Sequence, residues 1–446
     1  MPYQLPTDPL IPCDDPLSIV DTENPTQWEV LDQLLHNTSV QIHRRDKSPA
    51  DSLPPLIEDI AYSVHGNGSI DTGYLRKFCL ATGCVHPVAV RNLLSTAFSL
   101  LEQFPSHSLP TLSNDGDIIS YNGTQIDTLL AHQFFGTLCR PSGNTWGIPC
   151  LTSWFVANPS HPQAVDGYIS TLLDHFAQGG YLMDQSFSFL LHTAKQMPDP
   201  LTSNHVPNIQ LHIASEESQL SDVSESPFVL VAAHSQPGPG PTGTQEERLQ
   251  SASPALSTSA LFIPTIPSDA AVITSAFPVH AAWKGHNRTA RLERLFSPEE
   301  RPRRYYALAD ALPLDEMEES DGLKDLQPGY VEREVRKLYA AFSGALKMLE
   351  TIENGPGIPC VLDAGAWGCG AFGGNVLVKT VCMMTAAGMA DVEVHLTLLE
   401  QRAEDIEAIR LLLNRRLTTA EIWRRITSPD VRRSRSTAEL SPFLSA

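Results

Sequence analysis

The sequence predicts an α/β chain, in which a mixed sheet flanked by helices is preceded by an all-helical N-terminal domain. Three observations carry this. From Thr26 to about Lys195, apolar residues recur at helical spacing. From about Gln196 onward, short apolar runs alternate with helical periodicity, as around a largely parallel core. The chain has 446 residues, more than the ~100–200 typical of one domain.

The elements follow in order. Residues 1–25 are proline-rich and expected to be loose. Residues 26–195 form the helical domain. Trp28, Val30, Leu31, Leu34 and Leu35 mark one helix, and Val88 to Leu101 a second. Gln125 to Leu138 and Tyr168 to Phe176 mark two more. Residues 196–426 form the second domain. Asn208–Ala214 alternates like a half-buried strand, and Ser215–Ser226 reads as an exposed loop. Phe228–Ala233 is a continuous apolar run, expected for a strand buried on both faces. Short strands are expected at 271–276, 305–309, 359–363 and 392–398, and helices at 332–349 and 376–389. Residues 427–446 are Ser/Arg-rich and expected to be disordered.

Composition narrows the function. The net charge is −20, and no lysine-rich run offers the basic stripe of a non-specific nucleic-acid binder. A polyanionic ligand must therefore be held in a local pocket. The eight cysteines form no CxxC pair, which argues against a zinc ribbon. The N-terminus lacks the basic start and apolar core of a signal peptide. No apolar run reaches the ~18 residues of a membrane span. The expectation is a reduced intracellular protein.

Two segments carry chemistry. In PGPGPTGTQEE (237–247) a buried strand runs into a Gly-rich loop, followed by two adjacent carboxylates. Glycine admits close approach, and its N–H groups can cradle a phosphate. A carboxyl at the end of a strand can serve as a general acid if burial or a like charge raises its pKa. The segment equally fits a flexible loop with Gln-Glu-Glu capping the next helix. In VLDAGAWGCGAFGGN (361–375) five glycines fall between Gly365 and Gly374, after a strand and before a helix. This fits either a turn that offers backbone donors to an anion or a tight structural turn.

The stretch GAWGCGAFGGNVLVKTVCMMTAA closely resembles the signature of the poly(ADP-ribose) glycohydrolases, whose macrodomain carries Gly-Asn-Trp-Gly-Cys-Gly-Ala-Phe-Gly-Gly before a helix. That family also carries a Gly-rich loop followed by Gln-Glu-Glu, as at Gln245–Glu247. Weaker echoes follow in family order: LLAHQFFGT (129–137), Ala255-Leu256, Leu261-Phe262, Asp310-Ala311-Leu312 and YVEREVRKLYAAF (330–342). The resemblance spans roughly residues 85–425.

The resemblance implies a macrodomain-like catalytic domain over 196–426 that cuts the ribose–ribose O-glycosidic bonds of poly(ADP-ribose). Glu247 matches the catalytic carboxylate. Glu246 matches the neighbour that binds ribose hydroxyls and raises its partner's pKa. Gln245, Gly238, Gly240, Gly243, His286, Ala366, Trp367 and Gly368 fall at substrate-binding positions. No metal and no cofactor are expected. The implied partners are poly(ADP-ribose) and poly(ADP-ribosyl)ated proteins, with no direct DNA binding and no membrane. The protein is expected to be a monomer of the nucleus and/or cytoplasm; Arg432, Arg433 and Arg435 form a small basic cluster.

The sequence also departs from the family pattern. The family loop has consecutive glycines, whereas here Pro237, Pro239 and Pro241 interrupt them and remove N–H donors. Ala232, Ser235 and Ala366 stand where the family has Asp or Asn. His286 falls near a family Tyr, and Leu398 near an adenosine-side Phe. The hydrolase reading thus competes with a macrodomain that binds ADP-ribose without cleaving it, and with a descendant that does neither.

Overall fold

The computed structural model describes residues 2–65, 70–81, 85–143, 145–215, 227–318, 321–352 and 359–445. The 216–226 part of the expected exposed loop lies outside the described residues. The N-terminal half carries helices α1 (Gln27–Arg44), α2 (Pro49–Ser63), α3 (Gly73–Leu80), α4 (Pro87–Ala97), α5 (Leu100–Gln103), α6 (Gly123–Phe135) and α7 (Pro162–Ala177). Local chemistry sets their ends. Thr26 and Glu29 form a capping box on α1, and Asn122 and Gln125 form one on α6. Helix α6 stops at Gly136, which adopts φ +70°.

Three expectations for this half and the tail need correction. The half is not all-helical. Strands β3 (Ile118–Asn122) and β4 (Ser186–Thr193) lie within it. The N-terminus is not loose either. Strand β1 (Tyr3–Gln4) pairs with β2 (Ser108–Leu109), and Tyr3 is fully buried against the edge of Trp146. The C-terminal segment is ordered. Helix α13 (Thr437–Ser445) packs on α11 (Ala403–Asn414) and α12 (Thr419–Ile426), with Leu440 and Leu444 buried. Two leucines four residues apart are enough to seat one short helix face, which the surrounding Ser and Arg conceal. Arg432 pairs with Glu332.

Most expected strands form within a residue or two. They are β5 (Asn208–Ala214), β6 (Phe228–Ala233), β7 (Ala270–Thr274), β11 (Arg303–Asp310), β12 (Val361–Asp363) and β13 (Glu393–Leu399). Strand β8 (Phe277–Pro278) pairs with β11, and β9 (Ala281–Lys284) with β10 (Arg291–Leu295) forms a separate hairpin. The main sheet has nine strands and runs β3-β4-β7-β11-β6-β12-β13-β5. From β11 to β5 every neighbour is parallel, and from β11 back to β3 every neighbour is antiparallel. The architecture is a mixed sheet flanked by helices, as expected.

Strand alternation divides the core in two. Val229, Val231, Val272, Tyr306 and Leu308 face the cluster built by the N-terminal helices. Phe228, Leu230, Ile273, Ala307 and Leu362 face the other way, onto α9 (Tyr330–Ile352) and α10 (Val376–Ala390). Among the described residues, no helix is long and apolar enough to cross a membrane.

Two buried histidines make this packing sensitive to acid. His132, on α6, is fully buried between Thr137 Oγ1 (2.7 Å) and Ala97 O (3.0 Å), and burial pulls its pKa from 6.5 to about 4. His280 is fully buried with no hydrogen-bond partner on either ring nitrogen, and burial pushes it far below 6.5. Both are neutral in the folded state and take up protons more readily when unfolded. Their contribution is therefore intact above pH 6.5 and lost as pH falls toward 4. His132 alone accounts for about 3 kcal/mol across that window. Urea denaturation at pH 7, 5.5 and 4 should show that loss, and a flat profile would contradict it.

Candidate functional site

The C-terminal ends of five parallel strands meet at one end of the sheet, the place where open α/β sheets hold ligands. A cleft of about 770 Å³ opens there, and the loops after β6, β11, β12 and β13 all contribute to its lining. It opens because β6 and β12 part early: their ladder holds only Leu362 opposite Phe228 and Asp363 opposite Val229. Beyond it, the chain after β12 stays bonded on the β13 side, where Ala364 N donates to His395 O.

Gln245 occupies the resulting gap. It begins α8 (Gln245–Ala252), and its amide is used by the strand rather than held free. Ala232 N donates to Oε1 (3.0 Å), and Nε2 donates to Leu230 O (3.3 Å). Gln245 thus does for β6 what a neighbouring strand would do. Gln245→Ala leaves two partly buried backbone groups unpaired and should cost about 1–3 kcal/mol. Gln245→Glu restores only an acceptor and should recover part of that loss, as read by chemical denaturation.

The paired acids follow in the first turn of α8. Glu246 is 6% exposed. It accepts from His234 N (2.7 Å) and from Gln250 Nε2 (3.1 Å). Burial raises its pKa well above the ordinary carboxylate value, and the Glu247 charge adds to this. Glu247 is raised too, chiefly by burial, and its Oε2 is buried without a hydrogen-bond partner. Burial thus raises both acids, and two like charges in adjacent positions oppose each other's ionisation. Both acids line the cleft.

Arg248 is a functional neighbour that motif reading overlooked, although it directly follows Gln-Glu-Glu. It is buried. Its Nε donates to Thr244 O (3.1 Å) and its Nη1 to Gly285 O (2.7 Å). It thereby fixes the tip of the β9–β10 hairpin, which brings His286 to the cleft. Burial, then the Arg248 charge, lowers the pKa of His286, so its half-buried ring is neutral near pH 7.

The three loop glycines do not line the cleft, against expectation. Each sits behind it, where a side chain would collide. A Cβ on Gly238 would stand 2.7 Å from Ile148 O, on Gly240 2.7 Å from Glu247 Oε1, and on Gly243 2.2 Å from Asn287 O. The N-terminal half holds the loop in this pose. Trp154 Nε1 donates to Gly240 O (2.9 Å), and the Tyr168 hydroxyl donates to Thr242 O (2.5 Å). The glycines therefore serve close packing, and His234, Ser235 and Thr244 face the cleft from this side.

The Gly365–Gly374 turn forms the opposite wall. Gly365 (φ +50°) and Gly370 face open space, and Ala366, Trp367 and Gly368 line the cleft as expected. Trp367 is nonetheless 1% exposed, and its indole N–H donates to Ala309 O (2.9 Å). It is the floor beneath the turn. Lys379 lies over its ring at 5.4 Å. It pairs with Glu334 and with Asp325 (3.5 Å), while Asp325 accepts from Asn375 N (2.9 Å). Asp310 and Asp363, the last residues of β11 and β12, also line the cleft. Their place at strand ends is the signal by which they could have been found. Burial raises the pKa of Asp363. Among the described residues, no group of three His, Cys, Asp or Glu side chains is arranged to hold a metal ion.

Residues 200–405 match the model of the poly(ADP-ribose) glycohydrolase family, macro domain fold. Over this segment the chain is similar to the poly(ADP-ribose) glycohydrolase family. The glycohydrolase match takes in β5 through the start of α11, with both acids and the signature turn. The helical half before residue 200 and the helices after 405 lie outside it, so the weaker echo at 129–137 is not part of the match. The chain is also similar in structure to poly(ADP-ribose) glycohydrolase from Deinococcus radiodurans. One crystal structure of that protein with ADP-ribose shares 12% identity, covers 47% of this chain and 86% of the other, and gives a TM-score of 0.32. A second complex with ADP-ribose shares 13%, covers 53% and 93%, and gives 0.30. The apo form shares 13%, covers 54% and 94%, and gives 0.31. A search of curated protein sequences finds no match.

Proposed function

We propose that this protein hydrolyses the ribose–ribose O-glycosidic bonds of poly(ADP-ribose) and releases ADP-ribose. The observation that carries the reading is the Glu246–Glu247 pair inside the cleft, with Glu247 Oε2 buried and unpartnered. A carboxyl with a raised pKa keeps a proton to donate, and an oxygen without a partner among the described residues has no competing acceptor there for that proton. Glu247 gives its proton to the leaving ribose oxygen as the glycosidic bond breaks. The resulting carboxylate then takes a proton from the water that attacks the anomeric carbon. Glu246, beside it on the cleft wall, is suited to binding a ribose hydroxyl. His286, on the facing hairpin, offers a flat neutral ring to a sugar or base. The family match over both segments supports this reading.

Incubation with labelled poly(ADP-ribose) tests it. Free ADP-ribose is the expected product. An intact polymer, together with measurable binding of ADP-ribose, would overturn the hydrolase reading and leave a binding module.

A further inference from the structure

The proposed ligand carries a diphosphate, and the cleft must supply the charge to meet it. The loop expected to do so does not line the cleft: its glycines pack on Ile148, Glu247 and Asn287, and Pro237, Pro239 and Pro241 carry no N–H. The lining is otherwise acidic, with Glu246, Glu247, Asp310, Asp315, Glu316 and Asp363.

Its cations can be weighed one by one. Arg248 is buried and committed to Thr244 O and Gly285 O. Arg304 stands near the start of β11, at the opposite end of that strand from Asp310, where its charge acts on Asp363. His286 is held neutral, and His234 Nδ1 accepts from Gln236 N (3.1 Å) within its own loop. Arg402 remains. It follows β13 and precedes α11, and its side chain is 41% exposed. Two long contacts hold it, from Nη2 to Cys369 O and from Nη1 to Asp405 Oδ2, both 3.4 Å. The guanidinium thus lies against the signature turn, next to Gly370, which faces open space. It also borders a second cavity of about 410 Å³ behind the turn, beside Asn375 and Thr437.

We propose that Arg402 grips the diphosphate in this protein, replacing the backbone donors that the proline-interrupted loop lacks. This rests on the ADP-ribose reading above. The planar fork of an arginine suits phosphate oxygens. Two 3.4 Å contacts are weak enough to be exchanged for phosphate.

Calorimetric titration of the full chain with ADP-ribose and with adenosine is the test. Arg402→Ala should weaken ADP-ribose binding roughly ten- to a hundredfold, with adenosine affinity and thermal midpoint unchanged. Arg402→Lys, which keeps a point charge and loses the fork, should fall between. Unchanged ADP-ribose affinity in Arg402→Ala overturns this assignment alone. Equal loss of both ligands also overturns it, as the mark of a purely structural residue. A wild-type protein that binds no ADP-ribose overturns the assignment and the reading beneath it together.

Discussion

Replacing Glu247 with Gln should lower the release of ADP-ribose from labelled polymer by roughly 10²–10⁴-fold, the usual contribution of a general acid–base group. Gln fills the same space and keeps a donor, but it cannot give up a proton. Binding of ADP-ribose should therefore persist. The pH dependence follows from the raised pKa of Glu247. The donating form is the protonated one, so the rate should fall as pH rises through a value above the ordinary carboxylate range. That alkaline limb should vanish from the residual activity of Glu247→Gln. Release at the wild-type rate in the variant would remove Glu247 from the mechanism. The same substitution at Glu246 should act differently. This residue accepts from His234 N and Gln250 Nε2, so Glu246→Gln changes how the loop after β6 is seated as well as the ribose contact.

The second large effect concerns stability. Lys379 is fully buried and faces two buried carboxylates, Glu334 and Asp325. Burial alone would lower its pKa, but the charges of Glu334 and Asp325 outweigh burial and hold it above the ordinary lysine value. Lys379→Met preserves most of the side-chain volume, strands Asp325 in the interior and leaves Arg333 as the ion-pair partner of Glu334. Removing one member of a buried ion pair typically costs about 3–5 kcal/mol, and a loss of that size is expected in urea denaturation. Adding Asp325→Asn removes the stranded charge, keeps an acceptor for Asn375 N, and should restore part of the loss. If Lys379→Met is as stable as wild type, the network does not hold the turn. Packing raises the stakes, because the Lys379 chain lies against Gly374, where an added Cβ would meet its Cε at 2.4 Å. The residue that neutralises the interior also props up the ligand-facing turn.

The legible parts of this protein were those written locally. Phe228–Ala233 reads as a buried strand because every residue is apolar, and α9 reads as a helix because its apolar residues share one face. The Glu pair and the Gly-Trp-Gly turn are equally local, and both stand on the cleft. What was hidden depends on distant partners. Strand β3 is five residues long and gains its identity from pairing with β4, whose pairing with β7 ties both to the sheet. The pose of the loop glycines is set by Trp154 and Tyr168, which lie more than seventy residues earlier. No spacing within 237–247 announces those contacts. Gln245 has a second role hidden for a similar reason. It lines the cleft with its motif, and the short β6–β12 ladder also claims its amide.

Because β3 and β4 extend the same sheet as the five parallel strands, the two halves of the chain share one continuous backbone ladder. A hinge between them would have to break that ladder between β4 and β7. Closing one half on the other would cost the β4–β7 hydrogen bonds. Among the described residues, discrimination falls to the mouth between the loop after β6 and the signature turn, both carried by the same sheet. Such a mouth spends little ordering entropy on each binding event.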